Sequence, residues 1–157
     1  NPDICALVKN LTPNILKLRL VIKRVKDEHV KTLVRRCRKI TELNLSDTEI
    51  TNDSVKSIVE HLNSLEKLDV SFTGITNLHQ VKSIPTLKIL HFFGHHERIK
   101  NLKLQLPQIS INEDEDFFQI ARPTKKVNES IDHDWFWEIR ANQQDLFPRV
   151  PRKTYHT

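Results

Sequence analysis

The residues of this chain best suited to chemistry are its histidines, cysteines, serines and carboxylates, and their spacing argues against each chemistry in turn. His91, His95 and His96 with Glu97 are of the types that ligate zinc. His91 falls in a strand pattern, His95 and His96 are adjacent in a loop, and no second cluster completes a closed shell. Exposed loop histidines are the simpler account. Cys5 and Cys37 have neither metal-like nor disulfide-framework spacing. Cys37 stands on the apolar face of a helical pattern, where a thiol acts as a small hydrophobe. The serines have no nucleophile-elbow context, and with two glycines in the chain no glycine-rich loop can cradle a phosphate. Glu113, Asp114, Glu115 and Asp116 form a continuous run, and consecutive like charges mark a solvated loop, not a paired acid and base. No catalytic residue and no cofactor is expected.

What must position any functional side chain is a repeat. Ile15, Leu18, Leu20 and Val25 recur 25 residues on as Ile40, Leu43, Leu45 and Ile50, then as Leu65, Leu68, Val70 and Ile75. The intervening stretch repeats too. Val30, Leu33, Val34 and Cys37 lie at i, i+3, i+4 and i+7, and Val55, Ile58, Val59 and Leu62 follow at the same spacing. Strand-then-helix units of this length bury their apolar faces by stacking on their neighbours. The fold class is therefore α/β, a leucine-rich repeat solenoid with short parallel strands on the concave face and helices on the convex face. Leu87, Leu90 and Phe92 continue the strand signature at a spacing of 22, and Leu106, Ile109 and Ile111 at 19. Residues 1–112 are read as late repeats and residues 113–157 as a C-terminal tail docked back on them, its last sixteen residues disordered. Ile4, Leu7, Val8 and Leu11 are spaced like the helix of a preceding unit, which predicts a longer array upstream.

No run of about 18 apolar residues is present, and no secretory signal opens the chain, so a soluble intracellular protein is expected. Charge is unevenly placed. Residues 1–39 carry 11 Lys and Arg against 3 Asp and Glu, a net +8, and residues 40–157 carry 14 against 17, a net −3. Lys31, Arg35, Arg36, Arg38 and Lys39 cluster on the solvent side of the first full helix. A solvated convex face is the favoured account, an acidic or phosphorylated partner the main alternative, and nucleic acid comes last because no aromatic residue interleaves with these charges as a stacking platform.

Side chains alternate along a strand, so the residues between the inward leucines face the concave surface. These are Lys17, Arg19 and Val21; Glu42, Asn44 and Ser46; Lys67, Asp69 and Ser71; Ile89, His91 and Phe93. Arg24, Asp47 and Phe72 follow at the strand ends. Thr48 and Thr73 occupy the turn position usual for Asn or Cys, where a hydroxyl can bond the turning backbone. Both tryptophans and Phe117, Phe118, Phe136 and Phe147 lie beyond Ile111. This is too aromatic for a plain disordered tail: it reads equally as a cap over the last repeat or as a strap across the concave face.

The strings Leu33-Val34-Arg35-Arg36-Cys37, Leu43-Asn44-Leu45-Ser46-Asp47, Ile84-Pro85-Thr86-Leu87-Lys88, Leu106-Pro107, Ile111-Asn112 and Ile120-Ala121-Arg122-Pro123-Thr124 resemble, in order and spacing over residues 30–141, the C-terminal half of the S-phase kinase-associated protein 2 family. The resemblance implies the substrate receptor of an SCF (Skp1-cullin-F-box) ubiquitin ligase, acting in cell-cycle control in the nucleus and cytoplasm. In that family an upstream F-box, absent from this chain, binds Skp1 and thereby cullin. The late repeats and tail bind a cyclin-dependent kinase regulatory subunit, and together they hold a phosphorylated CDK inhibitor for ubiquitination. Asp47 matches an acidic residue of the family's partner surface and Phe117 a tail phenylalanine that packs on the regulatory subunit. Arg24 aligns with a basic surface residue if one residue is deleted, and Trp137 and Ile139 match a WxI element. Phe72 stands where the family has arginine and Asp116 where it has histidine, so the docking chemistry differs. The expected partner-binding set is Arg24, Asn44, Asp47, Asp69, Phe72, His91, Phe93, Phe117, Phe118 and Trp137, with no metal, nucleic acid or membrane. The rival reading is a repeat scaffold unrelated to the cell cycle.

Overall fold

The computed structural model describes residues 3–113 and the backbone of residues 135–141. The elements run α1 (Ile4–Lys9), β1 (Ile15–Ile22), α2 (Asp27–Arg36), β2 (Glu42–Asn44), α3 (Asn52–His61), β3 (Lys67–Asp69), a 3-10 helix over His79–Ser83, β4 (Ile89–His91), α4 (His96–Gln105), β5 (Ser110–Ile111) and β6 (Trp135–Ala141). β1 to β5 pair in parallel in chain order, as stacked strand-then-helix units require, and β6 pairs antiparallel with the other edge of β1. The chain is thus the leucine-rich repeat expected, with strands on one face and helices on the other.

The register places like positions of successive units side by side. Leu18, Leu43, Leu68 and Leu90 form one inward row, each no more than 3% exposed. The helices add Val30, Leu33, Val34, Val55 and Ile58, all at 1% or less. At roughly 1.5–3 kcal/mol per fully buried aliphatic side chain, this continuous stack is what drives the fold. Unit five departs from the leucine reading: β4 and β5 pair Leu90 with Ile111, where a 19-residue spacing would have chosen Ile109. A shift of two preserves side-chain parity, so Ile109 and Ile111 are both still buried.

Caps and turns use polar side chains in place of glycine. Asp3 caps α1 by accepting from the Ala6 N–H at 3.2 Å. His29 Nδ1 accepts from the Lys26 N–H at 2.9 Å at the start of α2, and Thr51 caps α3 by accepting from Asp53. The hydroxyls of Thr48 and Thr73 donate to the carbonyls of Leu45 and Val70 at 2.7 and 2.8 Å, as their position in the unit predicts. Lys23 has no hydroxyl to offer, and its turn is closed by the Val25 N–H to the Ile22 carbonyl.

β1 is eight residues long where β2, β3 and β4 have three, because β6 pairs along its whole length, with Trp137 opposite Leu20 and Trp135 opposite Ile22. This stretch of the tail therefore joins the sheet beside the first unit and does not cap the last one. The sixteen residues at the end of the tail lie outside the described residues. No helix among the described residues is long and apolar enough to cross a membrane.

Candidate functional site

The concave residues divide into a buried row and an exposed rim. Arg19, Asn44, Asp69 and His91 stand in register across β1 to β4, and all are at least nine-tenths buried. Asn44 and Asp69 do the same local job one unit apart. Each side-chain Oδ1 accepts the N–H two residues on, of Ser46 and Ser71, at 2.9 Å, which ends the strand in a tight turn. Asp69 Oδ2 lies 3.9 Å from His91 Nδ1. Three of the expected partner-binding residues, Asn44, Asp69 and His91, thus belong to a buried polar row that shapes the sheet. Beside it, Glu42 is flanked by Lys17 at 3.4 Å and Lys67 at 3.6 Å, so one carboxylate is shared between two ammonium groups and the row keeps a single net positive charge.

The rim is different. Arg24, Asp47, Phe72 and Phe93 are all exposed, Phe72 by 55% and Phe93 by 40%. Asp47, Phe72 and Phe93 are tied together through the main chain: the Asp47 N–H donates to the Ser71 carbonyl at 3.0 Å and the Phe72 N–H to the Phe93 carbonyl at 2.9 Å, while Arg24 stands in the turn after β1. The Ser71 hydroxyl accepts the Phe93 N–H at 2.9 Å. Asp47, Phe72 and Gly94 hold the same place in successive units, and all have left-handed backbone, with φ of 59°, 54° and 98°. Aspartate and glycine tolerate that region, but a phenylalanine in it costs about 1–2 kcal/mol. Gly94 makes room for it, since a Cβ there would lie 2.9 Å from Phe72 Cδ1. Behind the rim, His91 meets Phe93 edge-on with centroids 5.5 Å apart, and His95 stacks on Phe92 at 4.4 Å. Phe72 is thus a solvent-facing aromatic held in left-handed backbone, the kind of local strain that marks a candidate site.

Of the expected set, Arg24, Asp47, Phe72 and Phe93 come together on one rim, and Asn44, Asp69 and His91 are buried beneath it. Phe117 and Phe118 lie outside the described residues, and Trp137 lies in β6, whose backbone alone is described. The convex cluster is largely committed to the fold: Arg36 donates to the Leu11 carbonyl, Arg38 to the Arg35 carbonyl at 3.1 Å, and Lys39 to Asn14 Oδ1 at 3.1 Å. Lys31 and Arg35 line a groove between α2 and α3 together with Asp27, Glu28, Asp53 and Glu60, which is no uniform field for a polyanion. Burial pushes the Cys37 thiol up to about 11, the opposite of what a reactive cysteine needs. Among the described residues no group of three or more His, Cys, Asp or Glu could hold a metal ion.

The pattern missed one set of side chains that holds the units together. The Asp27 carboxylate accepts the Thr51 N–H at 2.8 Å, the Thr51 hydroxyl at 2.6 Å and the Ser54 hydroxyl at 2.6 Å. One unit later Asn52 Oδ1 accepts the N–H groups of Thr76 and Asn77, and its amide donates to the Thr76 hydroxyl. The signal was present in the sequence: Asp27 and Asn52 stand 25 residues apart, as do Thr51 and Thr76. Burial alone would raise the Asp27 carboxyl, but hydrogen bonds from Ser54 and Thr51 outweigh it and hold it below its ordinary value.

A family model described as the SKP2 LRR domain covers residues 1–144. No curated protein matches the chain. Among solved structures, one described as Leiomodin-1 Actin-Binding Site 2 (ABS2) is similar at 18% identity and a TM-score of 0.40, over 66% of this chain and 67% of that one, too distant to bear on fold or function.

Proposed function

Because this chain belongs to the family of the SKP2 LRR domain, we propose that it is the substrate-recognition part of an SCF ubiquitin-ligase receptor. In this reading it binds a cyclin-dependent kinase regulatory subunit and, with it, a phosphorylated CDK inhibitor presented for ubiquitination. Its contribution is non-catalytic: it holds a partner, and Skp1 and cullin attach through an F-box elsewhere in the receptor, in the nucleus and cytoplasm. The observation that carries the reading is that the family match runs through the repeats into the tail, past Phe117, Phe118 and Trp137. The exposed rim of Arg24, Asp47, Phe72 and Phe93 supports it, since an aromatic anchor ringed by polar groups is how recognition surfaces concentrate affinity.

The test is calorimetry of this chain against the cognate regulatory subunit, with Phe117→Ala and Asp47→Ala beside the wild type. Truncating an aromatic anchor of an interface costs about 2 kcal/mol or more, roughly a thirtyfold loss of affinity, and the melting temperature is expected to stay unchanged. A folded wild-type chain that gives no binding heat would reject the reading and leave a scaffold for some other partner.

A further inference from the structure

The last strand carries a serine in an unusual setting. β5 is two residues long and ends the sheet opposite β6, held to β4 by the Ser110 N–H to the Lys88 carbonyl at 2.8 Å and the Asn112 N–H to the Leu90 carbonyl at 2.9 Å. A terminal strand with so few ladder bonds opens locally far more readily than the whole fold. Ser110 is half-buried, and its hydroxyl donates to Glu113 Oε1 at 3.4 Å. Glu113 is three residues downstream, and the sequence continues Asp114, Glu115, Asp116, whereas Pro107, Gln108 and Ile109 before the serine are uncharged. Ser46 and Ser57 also have a glutamate three residues on, but Ser46 is buried and Ser57 lies inside α3. Ser110 alone of these joins an acidic run to an openable edge.

A cation already stands beside it. Lys103 Nζ, on α4, lies 3.2 Å from Glu113 Oε2, so the ammonium is separated from the Ser110 hydroxyl by a single carboxylate. We propose that Ser110 is a phosphoacceptor for a protein kinase whose peptide groove recognises carboxylates downstream of the serine, and that Lys103 receives the phosphate. This goes beyond the receptor reading and does not depend on it. The kinase and Mg-ATP supply the chemistry: the Ser110 Oγ forms a bond to the γ-phosphorus as the bond from that phosphorus to the bridging oxygen of ADP breaks. The hydroxyl proton passes to the kinase's base, and ADP leaves. Charge patterns of this kind are how kinases select substrates. A phosphoserine carries about −1.5 to −2 charges at pH 7, so it displaces the singly charged Glu113 from Lys103. The result is a doubly charged group where the chain leaves the last unit.

The test uses the full chain, a purified acid-directed serine kinase and Mg-ATP, with mass-spectrometric mapping of the product. One phosphate on Ser110 is expected, lost in Ser110→Ala and incorporated severalfold more slowly in Glu113→Gln. Incorporation only elsewhere, for instance at Ser130, or phosphorylation of a 106–117 peptide but not of the folded chain, would overturn the proposal. The Lys103 contact is read by phosphorus NMR: the second phosphate pKa, ordinarily about 6, is lower in the phosphorylated wild type than in phosphorylated Lys103→Gln. Equal values in the two would remove Lys103 from the proposal.

Discussion

The two units of 25 residues and the two shortened ones that follow solve the same packing problem with different completeness. In the first pair, α2 and α3 bury Leu33 and Ile58 to 0% exposure, and Asp27 clasps the start of α3. In the second pair the convex layer is a 3-10 helix and then α4, which buries Leu102 but leaves Leu104 76% exposed. The large exposed hydrophobics among the described residues, Phe72, Phe93 and Leu104, all lie in this second half or at its entrance. Units of constant length satisfy one another side chain for side chain. Where the length changes, some apolar surface has no matching neighbour and stays exposed.

The sharpest way to break this comparison is to truncate one apolar side chain in each region. Ile58→Ala removes a fully buried group from the regular pair and should cost about 2–5 kcal/mol in urea unfolding. Leu104→Ala removes an exposed one and should stay within about 0.5 kcal/mol. Equal losses would mean that the irregular half is as tightly built as the regular one.

A smaller effect isolates the polar clasps that accompany regular length. Asp27→Ala strands the Thr51 N–H and the Ser54 hydroxyl and is expected to cost about 1–3 kcal/mol. Its signature is in the pH dependence. The folded carboxyl is held below its ordinary value of 3.8, so the unfolded chain binds the proton more readily than the folded one. The clasp's contribution is thus fully present above about pH 4 and is lost as pH falls through the folded value. Wild type and Asp27→Ala, compared by denaturant unfolding from pH 7 down to pH 3, should differ most at the top of that range and converge toward the bottom. A constant difference would show that the carboxylate's charge is not what holds the units.

How far this was legible from sequence follows the same division. Leucine periodicity located four of the five parallel strands in register, because inward rows such as Leu43 and Leu68 must recur for stacking to work. It misjudged unit five, where Ile109 and Ile111 are both buried and periodicity has no means to choose between them. It also took Asn44 and Asp69 as surface, because alternation tells which face a side chain takes and says nothing of whether that face is covered or the side chain is used by its own turn. The exposure of Arg24, Asp47, Phe72 and Phe93 follows from their place at the strand ends, but the left-handed backbone of Phe72 does not follow from alternation. Asp47 and Gly94 at the matching positions, both tolerant of positive φ, were the available clue.

Phe72 supplies the smallest effect on stability and the finest test of the contrast. Phe72→Gly removes a left-handed strain of about 1–2 kcal/mol, but it also removes the ring lying against Gly94 and adds the chain entropy of a glycine, about 0.5–1 kcal/mol. These terms nearly cancel, so the unfolding free energy should change by less than about 1 kcal/mol, with either sign. Were Phe72 a structural residue like Ile58, losing so large a side chain would cost several kcal/mol; its 55% exposure argues that it is not. On the receptor reading proposed above, the same variant weakens binding of the regulatory subunit by at least tenfold, because the exposed ring is gone while the rim's main-chain ladder, including the Phe72 N–H to the Phe93 carbonyl, remains. Calorimetry and urea unfolding on one preparation decide it. A large stability loss with unchanged affinity would make Phe72 part of the core and move the recognition surface off this rim; unchanged stability with lost affinity would show that the chain tolerates a strained aromatic there for the sake of what it binds.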